Sequence, residues 1–364
     1  MTNSFTKYIL YTLLLLLTGC HMTQQLPIDY MIPAEISFPS TFRRVAIVNN
    51  MPYTSADSLL ITQKTKRYKN GTQKTTKFHK GISLIAAEAL AETIAEKRYF
   101  DEVIICDSFL YLTDSTKESH SLTKEEINRL TDKLEVDFLI SIENLLIKST
   151  HQTMNFGRTG VQGIVTATVY PTIKIYIPNR ETAMSTLTCS DSIYWDNIIY
   201  NGENPLDYLI DDDMMIREAS DFAGTLPVNK LLPFWKRSTR SIFSYGSVSM
   251  RDAYHYITHD QVEKAITIWE HIYNTDKGKN KMRAAHNLAI GFEMQDDITT
   301  AISWAEKALL LAVDIDYKTI ERDVRIIKEP TYTLSIQRYI NELKQRQSTI
   351  PQLKAQMDRF NMNE

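Results

Sequence analysis

Between Arg43 and Ser149 the chain alternates short strand-like runs with helical ones, and this order restricts the fold more than any other feature of the sequence. "RRVAIVNN", residues 43–50, sets Val45, Ala46, Ile47 and Val48 side by side, the pattern of a strand covered on both faces. Residues 82–97 then carry Ile82, Ile85, Ala86, Ala89, Leu90 and Ile94 on one side of a helical period, with Glu88, Glu92 and Glu96 four apart on the other. "DEVIICDS" reads as a second strand. Thr123 and Glu126 open a second helix as a capping box ahead of Ile127, Leu130 and Leu134, and "VDFLISIENLLIKS" supplies a third strand. Strands separated by helices need crossover connections, so the sheet is expected to be at least partly parallel.

The next segment obeys a different rule. Val165, Ala167, Val169, Ile173, Ile175 and Ile177 are apolar at alternate positions, while Thr166, Thr168, Tyr170, Thr172, Lys174 and Tyr176 intervene. This is a long half-buried strand in which Pro171 marks a bulge or an edge. Asn179 and Arg180 then form a turn, and "STLTCSDSIYW" returns as the antiparallel partner. A helix is expected over Asp213–Leu226, with the acidic run Asp211–Asp213 complementing its N-terminus and not ligating a metal. Phe234 and Trp235 are expected to seal a helix against the sheet. The fold class is therefore α+β, a mixed sheet with crossover helices and a long antiparallel hairpin, over residues 41–240.

Residues 247–364 are helical and repetitive. Ala253, Tyr256, Ala265 and Trp269 recur 36 positions later as Ala289, Phe292, Ala301 and Ala305, with Leu288 and Ala308 in further matching places. Small residues where paired helices touch and large ones between neighbours are what stacked helix pairs require. The segment resembles the tetratricopeptide repeat, which implies an all-α array with a concave binding surface. Segments 317–328 and 333–347 are expected to cap it, with Pro330 and Pro351 breaking the helices.

At the other end, the apolar run Tyr8–Leu17 is ten residues, too short to cross a membrane, and it follows Lys7 and precedes small residues. Leu17-Thr18-Gly19-Cys20 resembles the lipobox of bacterial lipoproteins. That resemblance implies a signal peptide over residues 1–19, cleavage before Cys20 and acylation of Cys20, with no acidic sorting residue after it. Several acyl chains are more than stable anchoring needs. Residues 20–40, with Pro27, Pro33 and Pro39, read as an extended lipidated tether. The implied location is the outer membrane, on the periplasmic face.

Residues 43–240 resemble the lipoprotein fold shared by the curli secretion channel lipoprotein, the peptidoglycan-synthase activator lipoproteins and the amino-terminal domain of the Tol-system propeller protein. The resemblance rests on "RRVAIVNN", the helix "LIAAEALAETIAEKRYFDEVIICD", the strand "LEVDFLISIENL" and the hairpin after it. Leader, α/β module and repeats in this order resemble an uncharacterised envelope lipoprotein family of Bacteroidetes. Neither resemblance implies an activity.

Composition narrows the remaining choices. A net charge of -3 with 23% charged residues gives no general basis for binding nucleic acid. Local charge is another matter: Lys64, Lys66, Arg67, Lys69, Lys74, Lys77 and Lys80 fall in a stretch without an acidic residue between Asp57 and Glu88. It reads either as a binder of anionic lipid, lipopolysaccharide phosphate or acidic protein, or as a solvated hairpin. Cys106 and Cys189 read either as a disulfide closing a long loop, worth roughly 4–5 kcal/mol, or as two separate thiols. "FGRTGVQG" precedes a strand and so fits no phosphate-binding loop. His255 and His259 stand four apart without the metalloprotease acid between them, and no nucleophile elbow is present. The expectation is a non-catalytic, lipid-anchored envelope protein without cofactor or metal, bound to the membrane and to an envelope protein partner, with glycan or lipopolysaccharide binding as the alternative.

Overall fold

The computed structural model describes residues 23–51, 59–67, 72–106, 121–157, 160–200, 203–322 and 331–361, of which 59–67, 319–322 and 361 are described by their backbone. Its strands are β1 (Gln24–Ile32), β2 (Arg44–Asn49), β3 (Leu59–Arg67), β4 (Gln73–Lys80), β5 (Glu102–Cys106), β6 (Phe138–Asn155), β7 (Val161–Tyr176), β8 (Ser185–Thr188), β9 (Asp191–Ile199) and β10 (Phe234–Ile242). Its helices are α1 (Ser83–Glu96), α2 (Lys124–Leu134), α3 (Asp212–Thr225), α4 (Val228–Leu231), α5 (Val248–Ile257), α6 (Val262–Thr275), α7 (Gly278–Met294), α8 (Ile298–Arg322) and α9 (Thr331–Asn361). The chain divides into two compact units, a helical unit of Met1–Pro33 with Trp235–Lys354 and a sheet unit of Ala34–Phe234 with Ala355–Glu364.

The sheet unit is a mixed eight-stranded sheet. β2 lies between β5 and β6 and runs parallel to both, Val45 opposing Val103 on one side and Phe138 on the other. Val45, Ala46, Ile47 and Val48 are wholly buried, as a strand covered on both faces requires. On one face Val45, Ile47, Phe138 and Ile140 pack with Ala86, Leu90 and Ile94 of α1. On the other, Ala46, Val48 and Leu139 pack with Ile127 and Leu130 of α2. The capping box forms: Thr123 accepts from the Glu126 amide and the Glu126 carboxylate reaches back to the Thr123 amide.

β6 and β7 form the long antiparallel hairpin, in register from Leu139 opposite Tyr176 to Asn155 opposite Val161. Each strand changes its outer neighbour partway. A register shift between Ile142 and Asn144 separates the stretch of β6 beside β2 from the stretch beside β4, where Lys80 opposes Leu146 and Gln73 opposes Thr153. β7 meets β8 over Thr172–Ile175 and β9 over Val161–Val169. Pro171 lies between those two ladders, so its missing N–H falls where the outer ladder is interrupted. Between β6 and β7, Gly157 and Gly160 of "FGRTGVQG" have φ of 68° and 111°, which glycine adopts without a Cβ penalty.

α3 begins at an Asp211 cap that accepts from the Met214 amide, so the acidic run does cap a helix. It crosses α1 at Gly224, where a Cβ would stand 2.3 Å from the Ala86 carbonyl oxygen. α1 and α3 thus pack on one face of the sheet, over β2, β5, β6, β7 and β9, with α4 against α1.

In the helical unit α5, α6, α7 and α8 pack in succession, joined by short turns. Ala253, Ala265, Trp269, Ala289, Ala301 and Ala305 are wholly buried between them. Gln24–Ile32, inside the stretch read as a tether, is instead the strand β1 paired with β10. Its Leu26 and Ile28 join the helical core, so burying apolar surface holds the segment down. β10 lies along α7: the Phe243 amide donates to Asn287 Oδ1 at 3.0 Å, and Asn287 Nδ2 donates to the Phe243 carbonyl at 2.7 Å. His286 Nε2 donates to the Ser241 carbonyl at 2.9 Å. α7 is consequently buried all round from Met282 to Gly291, and this face of the helices is already occupied by the chain itself. Two sequence expectations fail here. Pro351 lies inside α9 and does not end it. Trp235 seals no interface and is 67% exposed. Among the described residues no helix is long and apolar enough to cross a membrane.

Candidate interaction surface

The second face of the sheet is covered by α2 only beside the parallel strands. Beyond the β6 register shift, among the described residues, no helix lies on it. The side chains pointing that way follow from register: Lys74 opposes Gln152, Thr76 opposes Thr150, Thr150 opposes Thr166, and Thr166 opposes Tyr194. β7 is therefore amphipathic here, with Val165, Ala167 and Val169 toward α3 and threonine outward, whereas β4 and β6 turn Lys77, His79, Ser149 and His151 toward α3. β-branched threonine keeps the strand conformation while its hydroxyl tolerates water. Hydrogen bonds knit the surface: Thr168 Oγ1 lies 2.8 Å from Ser192 Oγ, and Gln162 Nε2 donates to Asp196 Oδ2 at 2.9 Å.

Along β9 the surface turns apolar. Tyr194 is 69% exposed, Ile198 43% and Tyr200 77%. Among the described residues β9 pairs only with β7, so it is an edge strand with one unpaired row of backbone groups. Open backbone edge beside exposed aromatics is the combination that takes an added strand or an apolar partner. A sequence signal for it exists in "SIYWDNIIY", where apolar residues occupy both parities, but alternation cannot say which parity lies uncovered.

The face beneath α3 holds a partly buried polar cluster. Lys77 Nζ lies 2.5 Å from Asp212 Oδ2, His151 Nε2 lies 3.4 Å from Asp212 Oδ1, and His79 Nε2 lies 3.0 Å from Ser149 Oγ. Burial acts to raise the Asp212 carboxyl, but Lys77, with His151 and His79, outweighs it and holds the group below the usual carboxylate range. Burial pushes both imidazoles below the ordinary histidine value, with Lys77 adding to the effect and Asp212 opposing it. At the junction of the two half-sheets, Tyr176 donates to Glu143 at 3.2 Å while burial, then the Glu143 charge, push its phenol to about 12.

The sequence-derived candidates distribute as follows. Cys20 and Lys69 lie outside the described residues. Lys64, Lys66 and Arg67 fall on β3, and Lys74, Lys77 and Lys80 on β4, so the basic stretch is an antiparallel hairpin at the sheet edge with Lys66 opposite Lys74. It does not present all its cations together: Lys77 is turned under α3 onto Asp212, and burial lowers the Lys80 ammonium. Cys106 and Cys189 form no disulfide with each other. Cys106 ends β5 and Cys189 follows β8, four strand spacings or roughly 19 Å across the sheet, which no disulfide spans. His259 Nδ1 bonds the His255 carbonyl at 2.8 Å on the surface of the helical unit.

The family model described as Domain of unknown function (DUF8603) matches residues 42–243, and that described as Domain of unknown function (DUF6340) matches residues 251–345. No curated protein and no solved structure matches the chain.

Proposed function

Because the chain belongs to the family described as Domain of unknown function (DUF8603), whose description names no activity, we propose from the chain's own surface that it is a non-catalytic interaction scaffold of the cell envelope. The observation that carries this reading is the uncovered half-sheet bordered by Tyr194, Ile198 and Tyr200. Apolar side chains exposed together on a rigid sheet, beside an open strand edge, favour a protein partner. In this reading Cys20 is acylated, residues 1–19 are removed, and the body is held at the periplasmic face of the outer membrane. The likeness to the curli-secretion and synthase-activator lipoproteins supports a module that works by contact. The buried alanines shared by the successive helices support a tetratricopeptide-like origin for the helical unit. Its face along α7 is filled by β10, which shifts the proposed docking surface to the sheet.

A photo-crosslinking residue placed at Tyr194 or Ile198 in living cells is expected to yield one discrete adduct, whereas the same residue at Glu92, exposed on α1, yields none. Tyr194→Asp should abolish recovery of that partner. Equal labelling at all three positions would refute the proposal. Loss of palmitate labelling in Cys20→Ala tests the anchor separately.

One observation favours the anionic-glycan reading as a second possibility for the same protein. β3 and β4 form one antiparallel hairpin with Lys66 opposite Lys74 in its register, which brings the basic positions of both strands to one edge of the sheet. Salt-sensitive binding of lipopolysaccharide that disappears on neutralising Lys64, Lys66, Arg67 and Lys69 would establish it.

A further inference from the structure

Two adjoining cavities of the helical unit, of about 320 and 330 Å³, lie between β1, β10 and α9 and share Tyr30, Met31, Arg346 and Thr349. Each is at the lower end of the size of small-molecule sites. Their chemistry is specific in three respects. First, the exposed indole of Trp235 lines the first cavity together with the apolar side chains of Met31, Met294, Ile350 and Leu353. An open indole is a flat apolar plate that gains by being covered. Second, the polar groups are held in place before any ligand arrives. Arg346 lies over the Tyr30 ring at 4.4 Å and donates to Asp296 at 2.5 Å and Glu293 at 3.3 Å, while Arg237 donates to Asp29 at 2.8 Å. Third, the charges nearly cancel: Asp29, Glu293, Asp296 and Glu342 face Lys236, Arg346 and Lys354.

These properties select among ligands. A phosphate or other strong anion would meet four carboxylates, and a cation would meet three basic groups, so neither gains from entering. A neutral ligand with an apolar face and an equator of groups that both donate and accept would satisfy the plate and the mixed rim together. A pyranose ring has that form, with C–H bonds on its faces and hydroxyls around its edge. We propose that the groove of Trp235, Tyr30, Arg346 and Asp296 binds a neutral oligosaccharide, its ring stacked on the Trp235 indole and its hydroxyls bonded to Asp296 and Arg346. A two-lobed groove suits two or three successive rings and not a single sugar.

The test is calorimetric titration of the full mature chain with chitotriose and with maltotriose, which separates N-acetylated from unsubstituted glycans. Saturable binding of either, weakened about tenfold by Trp235→Ala and restored by Trp235→Phe, is the expected result. Asp296→Asn should weaken it similarly; because Trp235 and Asp296 are exposed, both variants keep the fold, which circular dichroism checks. The proposal is overturned if neither sugar binds, if Trp235→Ala leaves binding unchanged, or if phosphate or an uncharged acetylated hexapeptide binds more tightly than both sugars.

Discussion

Glu293 on α7 is 1% exposed and accepts four hydrogen bonds. Arg240 donates through Nε at 2.9 Å and Nη2 at 2.8 Å, Tyr339 through its hydroxyl at 2.8 Å, and Arg346 at 3.3 Å. Glu293→Gln keeps the shape but offers one acceptor oxygen, and turns an NH2 group toward donors that need acceptors. Arg240, itself 5% exposed, then keeps only Glu342, at 2.7 Å and about half exposed, as its charge partner. Breaking a buried pair from one side costs about 3–5 kcal/mol, because the remaining charge stays buried. Glu342→Gln, which removes a carboxylate open to solvent, should cost under about 1 kcal/mol. The triple change Arg240→Met, Glu293→Leu, Tyr339→Phe removes the buried ion pair and its hydroxyl donor together, leaves Arg346 bonded to Asp296 and Glu342 open to solvent, and should recover most of what Glu293→Gln loses. Urea unfolding followed by circular dichroism measures all three, with the slope unchanged if the unfolded state is the same. A loss below about 1 kcal/mol for Glu293→Gln would show that water or rearrangement serves Arg240, and the reasoning would fail.

Two further predictions concern the sheet unit. His79 and His151 titrate below 6.5 when folded, so the unfolded chain takes up protons first as pH falls. Stability is therefore full above 6.5 and declines as pH drops below it, until the folded rings are charged as well; Asp212 acts only near and below its ordinary 3.8. A urea midpoint lower at pH 5.5 than at 7.5, with the difference reduced in His151→Gln, is expected; no difference would contradict it. Gly224→Ala should destabilise by about 1–3 kcal/mol in spite of alanine's better helix propensity, since its Cβ meets the Ala86 carbonyl, and a raised melting temperature would refute the close crossing.

What could be read from the chain was what local pattern encodes. Val45–Val48 fixed a strand buried on both faces, and Thr123 with Glu126 fixed a helix start to the residue. The alternation after Val165 revealed β7, though not that its outer partner would split at Pro171 into β8 and β9. The misses share a cause, long sequence separation. β1 is held by β10 and by helices more than 200 residues away, and nothing within Gln24–Ile32 announces them. Pro351 is carried inside α9 because burial of Leu343 before it and bonds of Gln356 and Arg359 after it outweigh one missing helix bond. Half of the candidate surface was visible as cations at 64–80, but burial of Lys77 against Asp212 depends on a helix 135 residues later. The aromatic half, Tyr194 and Tyr200, carries no such signal, because apolar residues of "SIYWDNIIY" occupy both parities and only the fold leaves one of them uncovered.

Because the β3–β4 excursion leaves and re-enters the chain between β2 and α1, and β6 and β7 extend past the register shift as one hairpin, the outer half-sheet is built from lobes that return to where they began. Such lobes lengthen or shorten by paired residues without disturbing the parallel strands. Removing one residue from a single arm would instead exchange the threonine surface with the apolar layer along that arm's whole outer length. The molecule can accordingly vary the reach of its exposed platform in steps of two while its inner strands stay unchanged.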